Sequence, residues 1–230
     1  TGQGGLKRNL TAGEITEQIV QAVRLCASGE MGGEPIRLSN IVFMGMGEPL
    51  LNYDNVLKAV ERISAEDGLF MSPRRITVST AGVSKQIRKL GDDKVRFKLA
   101  LSLHAANDKK RNEIMPINET NNIKVLVDAM NYFYKQTGNE ITFEYILFKN
   151  FNDSQKDAEE LVKLFRQVPA DLVNIIEYNP IDSFHMTKPD EEGIEDFMNY
   201  LEANRVNARL RRSRGKDIDA ACGQLANKGK

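Results

Sequence analysis

Gly45, Gly47 and Glu48 are the first residues whose types and spacing suggest chemistry, in the stretch Ile41 to Asn52 that reads IVFMGMGEPLLN. Ile41 to Phe43 is a short apolar run of buried-strand type, and the two glycines then let the backbone turn tightly and pass close to a ligand with no Cβ in the way. Pro49 biases Glu48 towards extended geometry, which fixes the direction of its carboxylate. The C-terminal end of a strand is where α/β proteins seat their ligands. The dinucleotide fingerprint is excluded, because its third glycine would fall where Leu50 stands. Two readings remain open for the stretch, a ligand cradle and an ordinary loop with a satisfied glutamate.

Near the other end, Arg209, Arg211, Arg212, Arg214 and Lys216 place five cations within eight residues. That density suits contacts to phosphates, and it also suits a solvated basic strand end. Cys222 follows among Ala220, Ala221 and Gly223, a small-residue setting that predicts a loop with an accessible thiol. Cys26 lies on the apolar face of the first helix and reads as a buried structural thiol. His104 sits alone at a strand end, where ligand contact and structural satisfaction are equally good accounts. No second histidine or cysteine stands at metal-ligand spacing, so no metal site is assigned. His185 has no visible partner and receives no role. Glu144 falls on the polar face of a strand and needs a cation or a hydrogen-bond donor if it is buried.

The elements that must position these residues alternate. Thr11 and Glu14 form a capping box ahead of a helix to about Ser28. Strands follow at Ile41 to Met44, Arg75 to Ser79, Val95 to Leu103, Glu140 to Phe148, Leu172 to Tyr178 and Val206 to Arg211. Helices are predicted between them at about Tyr53 to Ala65, Val83 to Leu90, Ile123 to Thr137 with Gly138 closing it, Ser154 to Gln167 and Pro189 to Ala203. Strands separated by helices imply a parallel sheet. Within the strands, Lys98, Ala100, Ser102 and His104 alternate with Phe97, Leu99, Leu101 and Leu103. Thr77 and Ser79, then Thr142 and Glu144, repeat the pattern. A sheet covered by helices on both faces would be apolar on both. The polar faces therefore line a shared concavity, a full or partial barrel, with Ser79, Ser102, His104 and Asn179 around the same mouth as Glu48.

Composition narrows the class without choosing the chemistry. The 230 residues carry 32 basic and 32 acidic side chains, so no global charge points to a polyanion. No apolar run is long enough to span a membrane and no signal peptide is present, so no membrane partner is expected. Two cysteines far apart make no disulfide framework, and a reducing, cytoplasmic setting is the default expectation. No repeat, low-complexity tract or linker divides the chain, so residues 1–230 read as one domain.

MGMGEPLLNYDNV, ITVSTAG, ALSLHAAN, EYNP and RRSRGKDIDAACGQL occur in the same order as in the radical S-adenosylmethionine RNA methyltransferases of the RlmN/Cfr family, and the chain resembles that family along nearly its whole length. The closer likeness is to the RlmN branch, which acts on carbon-2 of adenine in 23S rRNA and tRNA; the Cfr branch acts on carbon-8. The resemblance implies a parallel (β/α)6 radical-SAM barrel, S-adenosylmethionine and a [4Fe–4S] cluster as cofactors, 23S rRNA and tRNA as partners, and an electron donor for the cluster. It implies that Gly47 and Glu48 meet the methionyl amino group of the cofactor and that Ser79, Ser102, Leu103, His104 and Asn179 supply further contacts. Cys222 matches the cysteine that is methylated, on a C-terminal loop of about residues 212–230. TGQGGLKRNL resembles the segment that follows the family's CxxxCxxC motif. The barrel is therefore expected to be partial here, with the cluster cysteines, first strand, N-terminal accessory domain, resolving cysteine and proton-accepting glutamate lying upstream of Thr1. Glu177 stands where many relatives have proline.

Overall fold

The computed structural model describes residues 6–29, 33–180 and 185–212. Six strands, β1 (Ile41–Phe43), β2 (Ile76–Thr80), β3 (Lys98–Ser102), β4 (Ile141–Leu147), β5 (Leu172–Glu177) and β6 (Ala208–Arg211), form one parallel sheet in sequence order. That order has no reversal point. Right-handed crossovers, the rule for parallel connections, then put every helix on the same face and leave the other open.

Burial agrees with that geometry. Ile76 and Val78, Leu99 and Leu101, Ile141, Phe143 and Tyr145, and Val173 and Ile175 are buried on one face. They form a single core with Val56, Ile63, Leu90, Phe133, Leu161 and Phe197 from the helices. The other face carries two cross-strand rows. One row is Ser79, Ala100, Thr142 and Leu172; the next is Ser102, Glu144, Asn174 and Arg209. Arg211 at the end of β6 brings Nη1 to 3.6 Å from Sδ of Met44, the residue just after β1. A side chain that touches both edges of a six-stranded sheet requires the sheet to curl, and the fold is the partial barrel expected from the strand pattern.

The described helices are α1 (Ala12–Ser28), α2 (Tyr53–Ser64), α3 (Ser84–Asp92), α4 (Asp108–Ile114), α5 (Ile123–Thr137), α6 (Gln155–Phe165) and α7 (Glu191–Ala203); α4 lies at the strand ends, and the others contribute to the core on the sheet's apolar face. The predicted capping box of Thr11 with Glu14 is present, and Ser154 with Asp157 forms a second. Gly138 ends α5 at φ +64, a conformation that favours glycine. Among the described residues, no helix is long and apolar enough to cross a membrane.

Three expectations are corrected. α4 was not predicted, because DKKRNEI has no apolar stripe, and the residue it buries is Arg111. Cys26 is only partly buried, because α1 sinks Ala12 and Ile15 into the core and its later turns lie towards the surface. β3 is also shorter than expected: the chain turns after α3 through Lys94, at φ +49, and pairs only from Lys98.

Candidate functional site

The loop after β1 is built as its residues require. Gly47 has φ +98, a region in which a side chain is strained, and a Cβ there would meet no atom within 4 Å. The backbone thus needs glycine while the space beside it stays open. Glu48 is extended, φ −111 and ψ 108, as Pro49 dictates. Its Oε1 accepts from the Leu50 amide at 2.9 Å, capping the short turn Pro49–Asn52, and its Oε2 accepts from the Ala81 amide at 2.7 Å. The carboxylate therefore fastens this loop to the turn after β2. Burial pushes its pKa up, against the pull of these amides and the Thr80 hydroxyl. A carboxylate offers about four lone-pair positions, so both oxygens keep capacity for a further donor.

Beside it, Ser79 of β2 and Ser102 at the end of β3 bring their hydroxyls to 3.4 Å from one another. The two serines were predicted to share a mouth, and they do. Asn179 lies buried two residues beyond β5. Leu103 is different: its side chain belongs to the apolar core, its amide donates to the Glu144 carbonyl at 2.9 Å, and its carbonyl accepts from Arg111 Nε at 3.1 Å.

His104 turns the chain at φ +56. Its Nδ1 accepts from the Ile146 amide at 3.2 Å, which puts the proton of the neutral ring on Nε2. Burial, and secondarily the Arg111 charge, lowers its pKa to about 3. The strained turn is held by Asn152, 0% exposed, whose Nδ2 donates to the carbonyls of His104 at 2.7 Å and Ile146 at 2.8 Å while Oδ1 accepts from the Phe148 amide at 2.7 Å. One side chain thereby locks the ends of β3 and β4 together.

Arg111 does the same for β2 and β3. Its fully buried guanidinium donates to the carbonyls of Ala81 at 2.6 Å, Ser102 at 3.2 Å and Leu103, and to Asn118 Oδ1 at 2.5 Å. Burial lowers its pKa to about 10, with Asp108 opposing. Neither Arg111 nor Asn152 was anticipated. The signal available was faint: an arginine nine residues and an asparagine five residues beyond a strand end, among other polar residues.

The basic run divides. Arg211 turns into the concavity towards Met44 and Glu144, whereas Arg212 pairs with Glu191 at 3.2 Å. Arg209 is exposed in the row that includes Glu144. Arg214, Lys216 and Cys222 lie outside the described residues. Glu177 is buried at the end of β5 and pairs with Lys188 at 3.0 Å, which also reaches Glu191.

The model of the Radical SAM superfamily matches residues 4–165. A probable dual-specificity RNA methyltransferase RlmN of Cytophaga hutchinsonii is 52% identical over 99% of the chain and 61% of its own length. The dual-specificity RNA methyltransferase RlmN 2 of Myxococcus xanthus is 47% identical over 100% of the chain and 60% of its own length. The chain thus spans about three fifths of the curated relatives it matches. The crystal structure of a radical SAM methyltransferase from Sphaerobacter thermophilus superposes with a TM-score of 0.90 at 43% identity, over 97% of this chain and 64% of that one. Fold and sequence agree along most of the length, and the chain belongs to the radical SAM superfamily.

Proposed function

We propose that this chain is the barrel portion of a radical S-adenosylmethionine methyltransferase that acts on RNA, methylating carbon-2 of adenine in 23S rRNA and tRNA, with Cys222 as the residue that first takes the methyl group. The observation that carries the reading is the gathering of Gly47, Glu48, Ser79, Ser102 and Asn179 at one end of the sheet in a chain about half identical to proteins named RNA methyltransferases.

The residues present fit the sulfonium cofactor. Glu48 keeps acceptor positions for an ammonium group, the paired serine hydroxyls suit ribose oxygens, and the open side of Gly47 admits a ligand against the backbone. They do not fit an iron–sulfur cluster. Such clusters are held by several cysteine thiolates, whereas this sequence has two cysteines, and no group of metal-binding side chains gathers among the described residues. S-adenosylmethionine, when bound, supplies the methyl group. As a thiolate, Cys222 can accept that methyl and become S-methylcysteine. Carbon-2 of adenine is not nucleophilic and cannot take a methyl group by ordinary polar transfer. Its methylation calls for one-electron chemistry for which this chain has no cluster ligands.

In the complete protein, Cys222→Ala is expected to abolish RNA methylation, and mapping the product base should find the new methyl on carbon-2. Methylation by the variant would remove the acceptor role, and a carbon-8 product would overturn the assigned position. The 230 residues alone, reconstituted with iron and sulfide, should show no turnover.

A further inference from the structure

Glu144 is a buried carboxylate that the cofactor reading leaves unused. It is 2% exposed and stands on the concave face in one row with Ser102 and Asn174. Its Oε1 accepts from Asn174 Nδ2 at 2.7 Å, but Oε2 has no hydrogen-bond partner among the described residues. The cation beside it, Arg211 Nη1, is 3.9 Å away, too far for a charge-assisted hydrogen bond. A buried carboxylate oxygen without a donor costs free energy, and such an atom calls for a reason. Arg211 is half exposed, and its other contact on this face is the weak thioether acceptor of Met44 at 3.6 Å. An acceptor on β4 and a donor on β6 thus face the same space from different walls, near each other and not joined.

We infer that Glu144 and Arg211 form a subsite for the amidine edge of an adenine base, with Glu144 Oε2 accepting from the exocyclic amine and Arg211 donating to the adjacent ring nitrogen. The pair selects against simpler ligands. A phosphate would be repelled by Glu144 and an ammonium by Arg211, while a hydroxyl could bridge the two but would fix no ring orientation. An amidine edge presents a donor beside an acceptor and satisfies both. Since Arg211 is the exposed member, its side chain turns aside to admit the base, and Glu144, held by Asn174, stays in place. The inference rests on the proposed function, which brings adenine to this concavity from two sources, the cofactor and the target RNA.

The test uses the complete protein and two pairs of ligands. One pair is S-adenosylhomocysteine and its analogue with purine in place of adenine. The other is an RNA oligonucleotide with a single adenosine and the same oligonucleotide with purine riboside there. Purine keeps the ring nitrogen and lacks the amine. In the arm that uses the subsite, the wild type should bind the purine ligand about tenfold more weakly, the effect of one lost hydrogen bond to a charged group. Glu144→Ala should erase that difference by weakening the adenine ligand alone, and Glu144→Gln, which keeps an acceptor oxygen, should retain part of it. Discrimination in the first arm assigns the subsite to the cofactor and in the second to the target. Equal binding of adenine and purine ligands in both arms would overturn the inference, as would undiminished discrimination in either variant that folds. A protein that discriminates in the cofactor arm and fails to methylate RNA would keep the subsite and remove the proposed function.

Discussion

Glu48 and Glu144 are two carboxylates on one curled sheet, both with pKa values raised by burial, and they are treated in opposite ways. Each oxygen of Glu48 receives a backbone amide. Glu144 receives the Asn174 side-chain amide on Oε1, with a pull from the Thr142 hydroxyl, and its Oε2 has no hydrogen-bond partner among the described residues. The difference extends to their surroundings. At the rim, Arg111 and Asn152 tie three strand ends together through backbone carbonyls, so the positions of Glu48, Ser79 and Ser102 are over-determined. On the floor of the concavity, the polar groups reach towards one another without closing. Rigid placement costs nothing further at the moment a ligand binds, and an unclosed donor and acceptor leave something for the ligand to complete. The rim holds its shape in advance, while the floor is finished by what enters.

That contrast can be broken most directly at Arg111. Arg111→Ala removes the guanidinium from the carbonyls of Ala81, Ser102 and Leu103 and from Asn118, and urea denaturation should show a loss of about 3–5 kcal/mol. Arg111→Lys should recover less than half of it, because a point charge cannot copy the fork. Asn152→Ala should cost about 2–3 kcal/mol for three hydrogen bonds at a strained turn. Glu48→Ala should cost about 1–2 kcal/mol and also weaken S-adenosylmethionine binding in calorimetry. Glu144→Gln should change stability least, within about 1 kcal/mol and in either direction, since it exchanges a poorly partnered buried charge for a neutral amide. A Glu144→Gln loss as large as that of Glu48→Ala would erase the distinction between rim and floor.

Acid adds a finer measure. His104 has its pKa lowered from 6.5 to about 3, so the unfolded chain binds a proton that the native ring refuses. Stability should therefore fall as pH drops through that window. The raised pKa values of Glu48 and Glu144 act with the opposite sign, favouring the folded state below the ordinary carboxylate value of 4.5 and losing that contribution as pH rises through their folded values. Replacing His104 with Gln should flatten the decline between pH 6.5 and about 5 in denaturation curves recorded across that range.

Much of this was legible in the residues because its signals are local and periodic. Alternation along Phe97 to Ser102 separated the helix-covered face from the concave one, and the Thr11–Glu14 capping box and Gly138 marked helix ends within a residue or two. Gly47, Glu48 and Pro49 announced a strained, oriented loop. What escaped was the stitching. Arg111 sits in a run that looks solvated, and its partners are carbonyls of residues up to 30 positions away, which leave no mark in the sequence. Cys26 was misread because helical spacing tells which side of α1 is apolar but not how far along its length that side stays covered.

The sequential order of the strands also bears on how the molecule comes into being. Each strand pairs with the one made just before it, so the sheet can grow from its first edge as the chain emerges, with little search among distant partners. The contact between Arg211 and Met44 is the exception, since 167 positions separate the two residues. It can form only after the five preceding strands are in place, which makes the meeting of the two edges a late event in folding. The groups that line the concavity thus come together after the scaffold behind them has set.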